Sequence, residues 1–216
     1  MLKCSTSLWS ADLANLASEI KRVEPHSDRF HLDVADGIYV PTLLFFPDLV
    51  KAMRPHTRLP FEVHLITRQP LKWLDSFVEA GADIVIVYYD IVEDMNTVLD
   101  AIHAKGLKAG ISLRIEDPLE VLDPYWNKLD VLTIVGTDIG IKGAGMDESV
   151  PPKIRQARQL ISEHGLPTEI EADGGIRRET VPLIAEAGAD LIVPGSLMFN
   201  WGPQALTDLI RSLPQQ

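Results

Sequence analysis

The sequence has a single cysteine, Cys4, so no intramolecular disulfide can staple the fold. No apolar run approaches the roughly 18 residues of a membrane-spanning helix. No basic stretch followed by an apolar one marks a secretion signal, and the chain is expected to be soluble and cytoplasmic. Basic residues are scarce: 20 Lys and Arg against 31 Asp and Glu leave a net charge of -11. That balance disfavours nucleic acid or an anionic membrane as a partner, while still permitting a local anion site. No long polar or Pro/Gly/Ser-rich linker divides the 216 residues, so one domain spanning 1-216 is expected, with 46% hydrophobic content to build one sizeable core.

What is present is an alternation of short β-type runs with amphipathic helical segments. The strand candidates are Leu2 to Trp9, Phe30 to Gly37, Phe61 to Ile66, Ile84 to Tyr88, Ala109 to Leu113, Val131 to Val135, Glu169 to Asp173 and Asp190 to Pro194. Helical spacing follows each: Leu13, Leu16, Ile20 and Val23 after an opening at Ser10-Ala11-Asp12, then segments starting near Pro47, Pro70, Met95, Pro118, Pro152, Glu179 and Pro203. Eight β/α units in 216 residues fit a single-domain α/β fold of the (β/α)8 TIM-barrel type. An internal echo supports closure: Glu79-Ala-Gly-Ala-Asp83 recurs as Glu186-Ala-Gly-Ala-Asp190, half a chain later and again just before a strand. The competing doubly wound sheet lacks its phosphate fingerprint, since Trp9-Ser10-Ala11-Asp12 contains no Gly.

Polar residues interrupt three of the apolar strands. Side chains alternate along a strand, so His31 and Asp33 share one face while Phe30, Leu32 and Val34 share the other. His64 and Asp173 are the comparable interruptions of the third and seventh strands. One by one, such residues are more often a hydrogen-bonded core histidine or an N-capping aspartate. In a barrel, however, all four would converge on one mouth, and two imidazoles with two carboxylates suit one divalent ion per chain, zinc first, with iron, manganese or cobalt as alternatives.

At these residues the chain resembles the ribulose-phosphate 3-epimerase family, including the allulose-6-phosphate 3-epimerases. The resemblance rests on Ser7-Leu8-Trp9-Ser10-Ala11-Asp12, His31-Leu32-Asp33-Val34-Ala35-Asp36-Gly37-Ile38-Tyr39-Val40-Pro41, Glu62-Val63-His64-Leu65, Glu171-Ala172-Asp173-Gly174-Gly175-Ile176 and Pro194-Gly195-Ser196. It implies a metal held by His31, Asp33, His64 and Asp173, and epimerisation of a phosphorylated ketose at C3 with Asp33 and Asp173 as the acid/base pair. Inversion next to a ketone needs a proton removed from one face and returned to the other, hence two such groups. Ser10 and His64 would contact the sugar, although Ser10 reads equally well as a helix N-cap. Gly174, Gly175, Gly195 and Ser196 occupy the loops after strands seven and eight, where barrels bind phosphate. Gly143 and Gly145 lie in a Gly-rich stretch, Gly136 to Met146, expected to cover the substrate, with Lys142 as a phosphate contact or a merely solvated lysine. That stretch is two residues longer than the relatives' usual loop. Tyr88, Tyr89 and Asp90 stand where relatives usually have His and Glu, Ala35 replaces Met, Ile38 replaces His, and Arg114 replaces Asn. With metal set and acid/base pair intact, the reaction type is expected to persist with an altered sugar. A metal-dependent isomerase or lyase sharing the enediolate, and a non-catalytic sugar-phosphate binder, are the alternatives. A homo-oligomer is also expected.

Overall fold

Eight parallel strands close into a barrel in sequence order: β1 (Lys3–Ser7), β2 (Arg29–Ala35), β3 (Phe61–Ile66), β4 (Ile84–Tyr88), β5 (Lys108–Leu113), β6 (Val131–Val135), β7 (Glu169–Asp173) and β8 (Leu191–Val193). The computed structural model describes residues 2–91, 93–139 and 143–214. Closure is made by β8 on β1, with Lys3 opposite Leu191 and Cys4 opposite Ile192. The expected (β/α)8 architecture is therefore observed. No helix among the described residues is long and apolar enough to cross a membrane.

Seven α-helices among the described residues cover the barrel: α1 (Leu16–Val23), α2 (Pro47–Met53), α3 (Leu71–Ala80), α4 (Met95–Ala104), α5 (Val150–His164), α6 (Thr180–Ala187) and α7 (Pro203–Ser212). Between β5 and β6 the helix expected after Pro118 is instead a pair of 3-10 turns, Leu119–Leu122 and Trp126–Lys128. Pro124 has no N–H to donate back to the Glu120 carbonyl and breaks the segment, which still buries Leu119, Leu122 and Trp126. The first helix begins later than Ser10 would place it. Asp12 caps a 3-10 turn by accepting the Ala14 N–H at 3.0 Å, and α1 follows from Leu16.

Strand alternation decides what faces the barrel axis. In β2, Phe30, Leu32 and Val34 join the core under the helices, while His31 and Asp33 point inward. In β4 every residue is buried: Val85 and Val87 face the helices, while Ile84 and Ile86 pack with Val131. Gly110 makes room for that plug, since a Cβ there would lie 2.9 Å from Ile86 and 3.0 Å from the Val131 carbonyl.

The end of the barrel away from the site carries a fourfold pattern. Asp28, Asp83, Asp130 and Asp190 stand before β2, β4, β6 and β8, and their carboxylates accept the N–H groups of Cys4, Phe61, Ala109 and Ile170 on the preceding strands at 2.8–2.9 Å. Each Asp also donates its own N–H to that same residue's carbonyl. The repeated Glu-Ala-Gly-Ala-Asp segments are two of these four clamps, each turning out of its helix through a glycine with positive φ, Gly81 and Gly188.

Candidate active site and metal centre

At the C-terminal ends of the strands, a cavity is lined by Ser7, Ser10, Asp33, Tyr88, Asp173 and Ser196, among others. Asp33 and Asp173 reach it from β2 and β7, with His31 and His64 fully buried beside them. Asp33 Oδ1 lies 3.3 Å from His31 Nε2 and 3.9 Å from His64 Nδ1, and Asp173 Oδ2 lies 4.0 Å from His31 Nε2. One donor atom from each of the four residues falls within 4.8 Å of all the others. His31 Nε2 and His64 Nδ1 are buried without hydrogen-bond partners. Orphaned polar atoms of that kind are costly unless a ligand satisfies them, and here both belong to a ring of carboxylate oxygens. The residues fit a divalent cation.

The opposite ring nitrogens are already engaged. His31 Nδ1 donates to Glu62 Oε1 at 2.8 Å, and His64 Nε2 lies 3.0 Å from Ser112 Oγ. The Glu62 carboxylate makes His31 Nδ1 the donor and so leaves Nε2 free to ligate, and Ser112 Oγ can accept from His64 Nε2 and leave Nδ1 free in the same way. Tyr88 stacks on His64 with ring centroids 4.9 Å apart, and Ser7 donates to Asp33 Oδ2 at 2.9 Å. The metal-free site separates its two acids. Burial pushes Asp173 up to about 6, with the charge of Asp33 adding to it and that of His31 opposing. Burial also acts on Asp33, but the charge of His31, 3.3 Å away, outweighs it and holds Asp33 below the usual range. One carboxyl inclined to keep a proton and one inclined to lose it make a serviceable acid/base pair. Burial and the neighbouring His31 push His64 down to about 3, so His64 stays neutral, as a ligand must.

Below this ring lies a buried charge network that the residue patterns had not singled out. Arg29 Nη2 donates to Glu171 Oε2 at 2.7 Å and makes an ion-pair contact, without hydrogen-bond geometry, with Glu62 Oε2 at 2.7 Å. Glu62 also accepts from Ser5 at 2.7 Å, and Glu171 from Thr133 at 3.1 Å. Burial and the charge of Glu62 push Glu171 up, whereas Arg29 and His31 overcome burial to hold Glu62 down. The signal was available in phase: Arg29, Glu62 and Glu171 each sit two residues before His31, His64 and Asp173, on the same inward face.

The residues expected on the phosphate side also gather at the cavity. Gly143, Gly174, Gly175, Gly195 and Ser196 line it, whereas Gly145 is exposed and does not. Gly175, with φ +68, lets the loop after β6 lie directly on it, since a Cβ there would stand 2.3 Å from the Met146 nitrogen. Ser10 packs against Gly195 and lines the cavity, and Asp12 takes the capping role. Lys142 lies outside the described residues.

The family model for the ribulose-phosphate 3 epimerase family matches residues 3–199. The chain belongs to the ribulose-phosphate 3-epimerase family. Its curated relatives include ribulose-phosphate 3-epimerases from Bacillus subtilis (strain 168), 38% identical over 202 residues and 93% of both chains, and from Synechocystis sp., 38% identical over 197 residues, 90% of this chain and 86% of that one. Among solved structures, the fold is shared with a tryptophan synthase alpha-subunit from Pyrococcus furiosus, with TM-score 0.69, 17% identity and 99% of each chain covered. It is shared also with 3-hexulose-6-phosphate synthase from Salmonella typhimurium, with TM-score 0.67, 18% identity and 97% of this chain and 99% of that one covered.

Against the usual ribulose-phosphate 3-epimerase pattern, the departures fall unevenly. Tyr88 borders the cavity, but Ala35, Ile38, Tyr89, Asp90 and Arg114 are not among its lining residues. Ile38 is 87% exposed. Tyr39 donates its hydroxyl to Asp90 at 2.5 Å, and Asp90 lies 3.6 Å from Arg114 and 3.7 Å from Arg68, so these side chains form a polar cluster of their own.

Proposed function

We propose that the protein inverts C3 of a phosphorylated ketose, of the ribulose 5-phosphate or allulose 6-phosphate kind, through an enediolate. The observation that carries this reading is the pairing of Asp33 and Asp173, two cavity-lining carboxylates within 4.8 Å of partnerless imidazole nitrogens on His31 and His64. Asp33 and Asp173 come from strands separated by β1 and β8. One removes the C3 proton and the other delivers a proton to the opposite face. Ser7 holds Asp33 in place through Oδ2. Ser10, Gly174, Gly175, Gly195 and Ser196 hold the sugar and its phosphate, so that C3 lies between the two acids. His31, Asp33, His64 and Asp173 would hold one divalent cation, zinc by the balance of imidazole and carboxylate donors, and when bound it would polarise the substrate carbonyl and acidify the neighbouring C–H.

The test is kcat/KM for a panel of ketopentose, ketohexose and ketotetrose phosphates with the protein loaded with a divalent ion. At least one should give its C3 epimer and no aldose. Conversion to an aldose or to fragments would favour an isomerase or lyase instead, and binding without turnover would favour a sugar-phosphate binder.

A further inference from the structure

The cavity is strongly acidic for a site that should take a phosphate dianion. Asp33, Asp138 and Asp173 line it, in a chain of net charge -11. Arg177 is the one basic side chain among the described residues that line it. With Asp33 and Asp173 offset by the divalent cation they would hold, Asp138 remains an uncompensated carboxylate in the wall, so the one lining cation carries weight for a dianion bound there.

The position of Arg177 is held with some care. It follows Gly175 by two residues on the loop between β7 and α6, its backbone N–H donates to Thr180 Oγ1 at 2.8 Å, and Thr180 donates to the Gly175 carbonyl at 3.1 Å. Its guanidinium then spans to the loop after β6: Nη2 donates to the carbonyls of Gly143 and Ala144, both at 3.1 Å, and Nη1 donates to the Ile176 carbonyl at 3.0 Å. Those bonds use three of five N–H donors, leaving one on Nε and one on Nη1. The spare N–H groups lie on different edges of the planar guanidinium, so each can donate singly to a phosphate oxygen while the fixed positive charge acts on the dianion as a whole.

We propose that Arg177 is a substrate-binding residue that takes the phosphate dianion and, through the same guanidinium, ties the Gly143–Ala144 backbone down beside it. This inference rests on the sugar-phosphate reading of the site. Occupancy of the phosphate position and placement of the loop are then linked through one side chain, and Arg177 sets the preference for a phosphorylated ketose over the free sugar.

The experiment compares wild type, Arg177→Gln and Arg177→Lys on a phosphorylated ketose that the wild type turns over and on the same ketose without phosphate. In Arg177→Gln the ratio of kcat/KM for the ester over the free ketose should fall by about 10–100-fold, mainly through KM for the ester, as loss of charge-assisted hydrogen bonds implies. Arg177→Lys should recover part of the ratio, since charge returns without the guanidinium's ties to the Gly143 and Ala144 carbonyls. An unchanged ratio, including equal losses on both substrates, would overturn the proposal and leave Arg177 as a loop latch only. A calorimetric titration with inorganic phosphate needs no turnover, so it separates this inference from the proposed reaction. Wild type should bind phosphate about 10-fold or more tightly than Arg177→Gln, and equal affinities, or no binding by the wild type at millimolar phosphate, would overturn the assignment whatever the reaction proves to be.

Discussion

Replacing Arg29 with Met removes the guanidinium that bridges Glu62 and Glu171 while keeping most of the side-chain volume. Arg29 is 4% exposed and both glutamates are fully buried, so solvent cannot take over its role. Nη2 contacts both carboxylates at 2.7 Å, and Nη1 reaches Glu169 at 3.3 Å. Removing one partner from a buried ionic group costs about 3–5 kcal/mol, because an uncompensated charge remains, against a typical total stability of roughly 5–15 kcal/mol. The urea midpoint of Arg29→Met should therefore drop by about 1 M or more, with m for a protein of this size near the upper end of 1–3 kcal/mol/M. Losing Arg29 also raises the folded-state pKa of Glu171 further, since the charge of Arg29 opposes the effect of burial and of Glu62 there. The variant's folded state then keeps that proton to higher pH than the wild type's, and its deficit should be larger at pH 8 than at pH 5. Adding Glu62→Gln and Glu171→Gln should recover much of the loss by removing the charges left behind. A deficit under about 1 kcal/mol, or a triple variant no more stable than Arg29→Met, would refute the reasoning.

Asp33→Asn and Asp173→Asn should each lower epimerisation by a factor of about 10³ or more, as expected when a proton-transfer group is lost together with a cation ligand; metal content measured in parallel separates the two causes, and near wild-type turnover in either variant would remove it from the acid/base pair. Chelation should abolish turnover, with activity returning on addition of a divalent ion. Metal affinity should weaken as pH falls through about 6, where Asp173 takes up a proton in the metal-free site and His31, raised above its usual range mainly by Asp33 against the effect of burial, also competes. A chelator competition flat between pH 5 and 7.5 would contradict that linkage.

The barrel was legible because its strands announce themselves. Ile84–Tyr88 is an unbroken apolar run that begins after Asp83, and the alternation in Phe30–Val34 sets His31 and Asp33 together on one face. The candidate metal ligands were legible for the same reason, since polar residues on buried strands have few bland explanations once three strands supply them. The 3-10 crossover after Pro118 was not, because Leu119, Leu122 and Trp126 mimic helical spacing while Pro124 alone opposes it. Arg29 was missed because a charged residue at the start of a strand normally faces water. Only the closed barrel brings Glu62 and Glu171 to it from β3 and β7. Asp28 and Asp130 escaped notice since they lack the Glu-Ala-Gly-Ala-Asp frame of Asp83 and Asp190, though all four make the same clamp. Arg177 carries no periodic signature, and two of its three carbonyl partners come from a loop more than 30 residues earlier.

The central claim is proton exchange at C3 between Asp33 and Asp173. Its most direct test follows a ketose phosphate, incubated with the divalent-ion-loaded protein in deuterium oxide, by proton NMR. The account expects the C3 proton signal to disappear from both epimers as they equilibrate, with C1 retaining its protons. Epimerisation without solvent deuterium at C3, or exchange confined to C1, would contradict it.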